Sequence, residues 1–367
     1  MKRAGIRLLL LASFSWSLLP LGGCQLKDID KRFFVVSAGF DVADNPAKPY
    51  RVTLRLALTS SKLEAGASHT QVETMDAASV AEAVRHLKAN VDKELEFGHC
   101  REFVFGREML EQKGFQEVME WLARRRDIQG VSNVMIGDPD ASSILETKPL
   151  SERYPGNALF LTFGNEGTEA SDTVTEYLFD LYRREYETGL DPVLPVVRSV
   201  QHAYQINRVA LLDKEKIRLI LSPEETQIYN MTANDIRKSV LAMPTAEGRL
   251  VMAVTKVRSR VSVADGGIPK VVLHVRATGF LEQSPPRLLE RDWDGLERKL
   301  GRYFSEKTVE LLEKIRDQNI DPYGFGLHYL ANHYGRPSTW EKWKELYPRV
   351  KFEVRTDVKI QGTGLIR

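Results

Sequence analysis

Residues 1–23 constrain the rest of the chain by standing outside its fold. Lys2, Arg3 and Arg7 form a basic head, Leu8 to Leu21 an apolar run, and Leu21-Gly22-Gly23 a small-residue site directly before Cys24. A basic head, a short apolar run and small residues at a cut site make a secretory signal. The run falls short of the roughly 20 apolar residues that a membrane span requires. A cysteine directly after the cut is the pattern of a lipobox, in which the Cys24 thiol takes a diacylglyceryl group and becomes the new N-terminus. Each buried methylene contributes about 0.8 kcal/mol, so one acyl chain binds marginally and two hold a protein stably. What folds is then residues 24–367, exported and tethered. An ordinary signal with a chance cysteine nearby is the plainer alternative.

The tethered part has no charge bias. Cleavage removes three cations and no acid, which takes the formal net charge from +2 to −1. A near-neutral chain carries no electrostatic footprint for nucleic acid. The two cysteines are Cys24 and Cys100. With Cys24 lipidated, Cys100 has no partner in the chain, and stability must come from core burial. Two cysteines also exclude a Cys-rich zinc module. No apolar stretch after Cys24 approaches transmembrane length.

Hydrophobic periodicity outlines the elements. Phe33 to Phe40 reads as a buried strand, and Tyr50 to Leu58 alternates as a half-buried one. Asp76 to Phe97 turns to helical spacing, with Val80, Val84, Leu87, Val91 and Leu95 recurring and Gly98 as a stop. Glu102 to Phe105 is strand-like, Arg107 to Arg126 helical with a break near Gly114, and Val131 to Ile136 strand-like. Ala158 to Phe163 reads as a strand and Ser171 to Glu187 as a helix, and Asp191 to Pro195 as the crossing into a new unit. Short strands follow at Val209 to Leu212 and Lys216 to Leu221. Ser222-Pro223-Glu224-Glu225 has the residues of a helix start. Arg249 to Val263 and Lys270 to Phe280 are strands around a glycine turn. Leu288 to Asn319 is the longest helical stretch, with Gly295 and Gly301 as expected bends. From Val350 to Ile360 apolar residues alternate with Lys351, Glu353, Arg355, Asp357 and Lys359, the pattern of a charge-protected edge strand. Strand and helix groups without a βαβ rhythm predict an α+β fold of two to three mixed domains, with largely antiparallel sheets flanked by helices.

Catalytic patterns are absent from the sequence. It contains no G-x-S-x-G elbow, no Walker loop and no H-E-x-x-H helix. His328 and His333 are five apart, which suits a turn better than a ligand pair. His99-Cys100 lacks the rest of a redox or metal site and reads as a small buried residue entering a strand. Asp41, Asp44 and Asn45 lack the glycine and terminal Glu of a calcium loop. No metal, cofactor or catalytic residue is therefore expected. Ser338 can cap a short helix carrying Trp340 and Trp343, two aromatics sharing one face. They form either a core plug or, with Phe325, a partner-binding patch, since Trp is enriched at binding hot spots.

The residues Asp321-Pro322-Tyr323-Gly324-Phe325-Gly326, then His328, Tyr334, Trp340, Trp343 and Tyr347-Pro348, then the alternating strand ending Gly362-Thr363-Gly364, resemble the C-terminal domain of the Ger(x)C family. These are the C subunits of spore nutrient-germinant receptors. Cys24, Leu26-Lys27-Asp28-Ile29-Asp30, the strand to Phe40 and Asp41 resemble that family's opening. The family often has Trp after the lipobox cysteine, whereas Gln25 stands here; the lipidation chemistry is unaffected. The resemblance implies a signal at 1–23, an N-terminal germination domain over 24–199 with a further division near 140–155, and a C-terminal one over 200–367. It also implies a non-enzymatic lipoprotein on the outer face of the spore inner membrane. The partners would be two integral-membrane subunits, A-type and B-type. An exported solute-binding lipoprotein and an anchored cell-wall hydrolase are the rival expectations. The first needs a cleft with convergent polar groups, the second paired carboxylates in a groove.

Overall fold

The unbroken apolar runs become the centre of a nine-stranded sheet. The computed structural model describes residues 31–58, 70–150, 157–163, 172–234, 236, 238–264, 267–285, 293–334 and 338–363. The first sheet takes β1 (Arg32–Val42), β2 (Tyr50–Ala57), β3 (Thr70–Ala77), β4 (Glu94–Glu96), β5 (Glu102–Gly106), β6 (Asn133–Gly137), β7 (Val193–Val200), β8 (Ala203–Leu212) and β9 (Ile217–Ile220). Their order is β3-β2-β1-β5-β6-β7-β8-β9, with β4 beside the start of β1. The centre, β1-β5-β6-β7, is parallel, and antiparallel pairs flank it on both sides. Every residue of β5 and β6 is buried. Phe103, Phe105, Val134 and Ile136 face one core, Val104 and Met135 the other. A strand buried on both pleats shows no polar alternation, so the sequence pattern hides its register.

Helices supply both outer layers. In chain order they are α1 (Val80–Asn90), α2 (Arg107–Gln112), α3 (Gln116–Arg124), α4 (Ala141–Glu146), α5 (Asn157–Phe163) and α6 (Leu178–Tyr186). Val80 and Leu87 of α1, Met109 of α2, Val118 and Leu122 of α3 and Leu181 of α6 pack on one face. Ile144 and Leu145 of α4 and Leu159 and Phe163 of α5 pack on the other. Ser79 starts α1 by accepting the Glu82 N–H at 3.2 Å. Gly114, at φ 81°, separates α2 from α3 where the sequence predicts a break.

Two sequence expectations are corrected here, and one strand had no sequence reading. Ala158 to Phe163 is the helix α5, because Leu159 and Phe163, four apart, carry its buried side; a six-residue apolar run fits either period. Thr70 to Ala77 forms the edge strand β3 although it is mostly polar, since its outer side meets water. Asp191 to Pro195 does not leave the first unit: Val193 opens β7, which pairs beside β6. The expected division at 199/200 falls at the end of β7, just before the turn into β8, and the sheet continues through β8 and β9.

The second sheet is smaller. It comprises β10 (Ser239–Thr245), β11 (Gly248–Ala264), β12 (Lys270–Gln283) and β13 (Lys351–Ile360) in that spatial order, with β13 parallel to β12 at the edge. Its helices are α7 (Pro223–Ala233), α8 (Trp293–Asp317), α9 (Phe325–Asn332) and α10 (Thr339–Leu346). The predicted capping box of α7 is present: Ser222 Oγ accepts the Glu225 N–H at 3.2 Å, and Glu225 accepts the Ser222 N–H at 2.8 Å. One face of the sheet packs Leu250, Met252, Val271, Leu273 and Val275 under α8, α9 and α10, and the other meets solvent. α8 is one continuous helix. Gly301 does not bend it; a Cβ there would stand 2.5 Å from Thr356 O, so the glycine lets α8 lie against β13. A further core, with Val193, Val209, Leu211, Tyr229, Leu311, Ile315 and Ile320, joins β7 and β8 to α7 and α8 and binds the two sheets together.

Candidate functional site at the seam of the two sheets

The family-like residues 321–326 lie at this junction. Two helices end in the same way. α6 is followed by Gly189-Leu190-Asp191-Pro192 and α8 by Asn319-Ile320-Asp321-Pro322. Gly189 and Asn319 both adopt positive φ, 84° and 55°. Each reverses the chain after its helix, the role a left-handed residue plays at a helix end. Leu190 and Ile320 bury behind them. The two aspartates then clasp: the Asp191 N–H donates to Asp321 O at 3.0 Å, and the Asp321 N–H donates to Asp191 Oδ2 at 2.6 Å.

The Asp321 carboxylate turns the other way and starts α9. Oδ1 accepts the Phe325 N–H at 3.0 Å and Oδ2 the Gly326 N–H at 2.6 Å. Arg184 of α6 braces the clasp by donating to Asp191 O at 3.0 Å and Pro322 O at 3.1 Å, while pairing with Glu176 at 3.0 Å. Tyr347 donates to Ile320 O at 2.5 Å. Gly189 and Gly326 meet backbone to backbone. A Cβ on Gly326 would stand 2.9 Å from both Gly189 Cα and Trp343 Nε1. The Gly-Phe-Gly of the motif is therefore a packing device, and no phosphate cradle.

Beside the clasp lies a cleft of about 310 Å³, lined by Asp191, Asp213, Lys214, Arg218, Gln318 and Trp340 among others. The candidate partner-binding aromatics divide around it. Phe325 and Trp343 are each 1 % exposed and belong to the second core; Trp343 stacks on Tyr329 at 4.9 Å. They serve packing, because no surface remains for a partner to touch. Trp340 alone is partly open, at the cleft rim, with Lys344 Nζ 5.8 Å over its ring. Cys24 lies outside the described residues. His333 is buried with Nδ1 2.8 Å from Tyr329 O, in the turn contact expected of it, and His328 is exposed. Cys100 is buried and burial pushes its thiol well up, which keeps it inert. Among the described residues no group of three or more His, Cys, Asp and Glu could hold a metal ion. Sequence reasoning missed Gly189, Arg184 and Asp191. The available signal was the recurrence of an aliphatic residue followed by Asp-Pro after two helices.

Burial perturbs the clasp carboxyls. It raises Asp321 to about 7 against the pull of the Gly326 and Phe325 N–H groups, and Glu176 to about 7 against the pull of Arg184. Asp41, which caps α4 through the Ala141 and Ser142 N–H groups at 2.7 and 3.0 Å, is raised to about 6. An acid whose folded value is raised adds stability that is complete below its unfolded value and lost as pH rises through the folded one. Thermal stability is therefore expected to fall by a few degrees between about pH 5 and about pH 8, read by calorimetry. Asp321→Asn flattens that slope. A slope that is unchanged in the variant contradicts the assignment to Asp321.

With this geometry in view, two family models and a curated relative point to spore germination. Residues 25–199 match the family model described as "Spore germination protein N-terminal domain", and residues 207–364 the one described as "Spore germination B3/ GerAC like, C-terminal". The chain is 19 % identical over 307 residues to the spore germination protein GerQC of Bacillus cereus, covering 82 % of this chain and 84 % of that one. Its fold is similar to the crystal structure of the GerBC protein, with TM-score 0.58 at 15 % identity, covering 89 % of this chain and 98 % of that one. The chain belongs to the Ger(x)C family of spore germination proteins. Its α+β fold of two helix-flanked sheets is that family's, and its role lies in spore germination. No helix among the described residues is long and apolar enough to cross a membrane.

Proposed function

We propose that the chain is the non-enzymatic, lipid-anchored C subunit of a spore nutrient-germinant receptor. It is held by diacylglyceryl-Cys24 on the outer face of the spore inner membrane, beside A-type and B-type integral-membrane subunits. The observation that carries this reading is where the family match begins: residue 25, directly after Cys24. The stretch that matches the family thus starts where a lipobox cut would leave a new N-terminus. A two-dimensional tether also raises the subunit's effective concentration near membrane partners. Both oxygens of Asp321, the most buried carboxylate of the cleft, are taken by backbone N–H groups. That use supports a scaffold better than a hydrolase. Partners would meet the open rim around Trp340.

Cys24→Ala is expected to move the protein from the membrane to the soluble fraction of disrupted spores, and spores lacking the chain to lose a nutrient response. Retention of the variant after high-salt washing would show that lipid is not the main anchor.

A further inference from the structure

We propose that the open face of the second sheet is a docking surface for anionic phospholipid headgroups. It lays the folded body against the membrane. The part of this that invokes the Cys24 tether rests on the lipoprotein reading above; the surface itself does not.

Among the described residues, helices cover only one face of β10–β13. On the other, strand register sets Arg258 directly opposite Arg276, Arg260 opposite His274, and His274 opposite Arg355. Lys256 extends the row one pair further. Like charges directly opposite on neighbouring strands destabilise a sheet. Neither Arg258 nor Arg260 has an ion-pair partner among the described residues. The acids on this face nearest the cluster, Glu353 and Asp357, lie on the edge strand β13, and Glu282 stands further along β12. Glu353 is taken by Lys270 and Arg355, and Asp357 stands 3.5 Å from the exposed Arg276. Between β11 and β12 lies an open depression of about 370 Å³, lined by Arg258, Arg260, Ser262, His274 and Arg276. The mature chain is near neutral overall, so this cluster is a local asymmetry and not a general basic character. An anionic counter-surface relieves the repulsion that the sheet otherwise keeps.

The geometry points to a bilayer as that surface, and not to an acidic protein. Between Cys24 and β1 stand residues 25–31, which reach at most about 25 Å even fully extended. That is less than the breadth of a body of this size, whose radius of gyration is about 20 Å. One side of the body therefore lies close to the lipid. Topology says which side. Because β1, β5, β6 and β7 are parallel, their starts share one edge of the first sheet. Arg32 opens β1 on that edge, and the Asp191 clasp that carries the second sheet precedes β7 on it, three strand spacings or about 14 Å across the sheet and a few residues along it. The tether thus enters beside the second unit. With the open face turned to the lipid, its basic groups lie within the screening length of about 10 Å at 0.1 M salt.

The test uses the chain from residue 24 onward with Cys24→Ser, so no lipid contributes and the result does not depend on whether Cys24 is acylated. It is floated with vesicles of phosphatidylcholine alone or with roughly one third phosphatidylglycerol. Binding is expected only to the anionic vesicles, and it weakens as salt rises. Arg258→Glu with Arg260→Glu is expected to weaken it at least about tenfold. Arg85→Glu with Arg124→Glu, an equal charge change on exposed positions of α1 and α3, leaves it intact. Both double variants are exposed-site changes, and circular dichroism checks their fold. Absence of anionic-vesicle binding at low salt, or an equal loss in both double variants, overturns the proposal. Loss of vesicle binding with capture of an acidic membrane partner on the same face would assign it to protein instead.

Discussion

Trp343→Ala is expected to destabilise the protein by about 3–5 kcal/mol, the cost of emptying a fully buried large aromatic site. At this chain length that lowers the melting temperature by roughly 10 °C. Trp343 packs on Tyr329 and Tyr347 and covers Gly326, so its loss opens a cavity at the root of the clasp. Trp340→Ala, three residues earlier on the same helix, is expected to cost less than about 1 kcal/mol, since its ring is partly solvated already. Calorimetry on the two variants decides which aromatic serves the core. Equal losses would contradict the division. A Trp340→Ala variant that keeps its stability but no longer co-purifies with membrane subunits would place the partner surface at the cleft rim.

Gly326→Val and Gly189→Val are each expected to cost about 3 kcal/mol or more, because backbone blocks the added side chain and backbone cannot rotate away. At Gly326 the first carbon would already lie 2.9 Å from Gly189 Cα. At Gly189 it would lie 2.9 Å from the Gly326 carbonyl carbon, and φ of 84° disfavours a branched residue independently. Relief requires the two sheets to separate at the seam. The variants should therefore show a new protease-sensitive site near 188–192 together with a lower melting temperature. Gly267→Ala, where an added carbon meets nothing within 4 Å, is the matched control and should behave like the parent. Unchanged melting in Gly326→Val would mean that the clasp does not hold the sheets together.

Local pattern revealed the elements whose burial is one-sided. β13 alternates charge and apolar residues because one face packs and the other is wet, and α7 announces itself through Ser222 and Glu225. Gly114 marks the α2–α3 break because a helix cannot hold its positive φ. Elements buried on both sides were harder. The apolar runs of β5 and β6 show strands but not their parallel pairing, which depends on helices elsewhere in the chain. Ala158 to Phe163 misled for a related reason: a short apolar run has no length over which 2 and 3.6 can be told apart. β3 was missed from the opposite side, as a polar strand at an edge. The candidate site was half legible. Residues 321–326 stood out as family-like, yet their clasp partner lies 130 residues away, and only folding brings Asp191 to Asp321. Of the aromatics, sequence located Trp340 and Trp343 on one short helix, and packing alone assigned them different environments.

The most direct test of the central claim is affinity capture of this protein from detergent-solubilised inner membrane of the spores that contain it, read by mass spectrometry. The account predicts recovery of two polytopic subunits, with Cys24→Ala abolishing their recovery from the membrane fraction. Recovery of a permease with an ATPase, or of no membrane partner at all, would contradict it and turn attention to the seam cleft as a solute site.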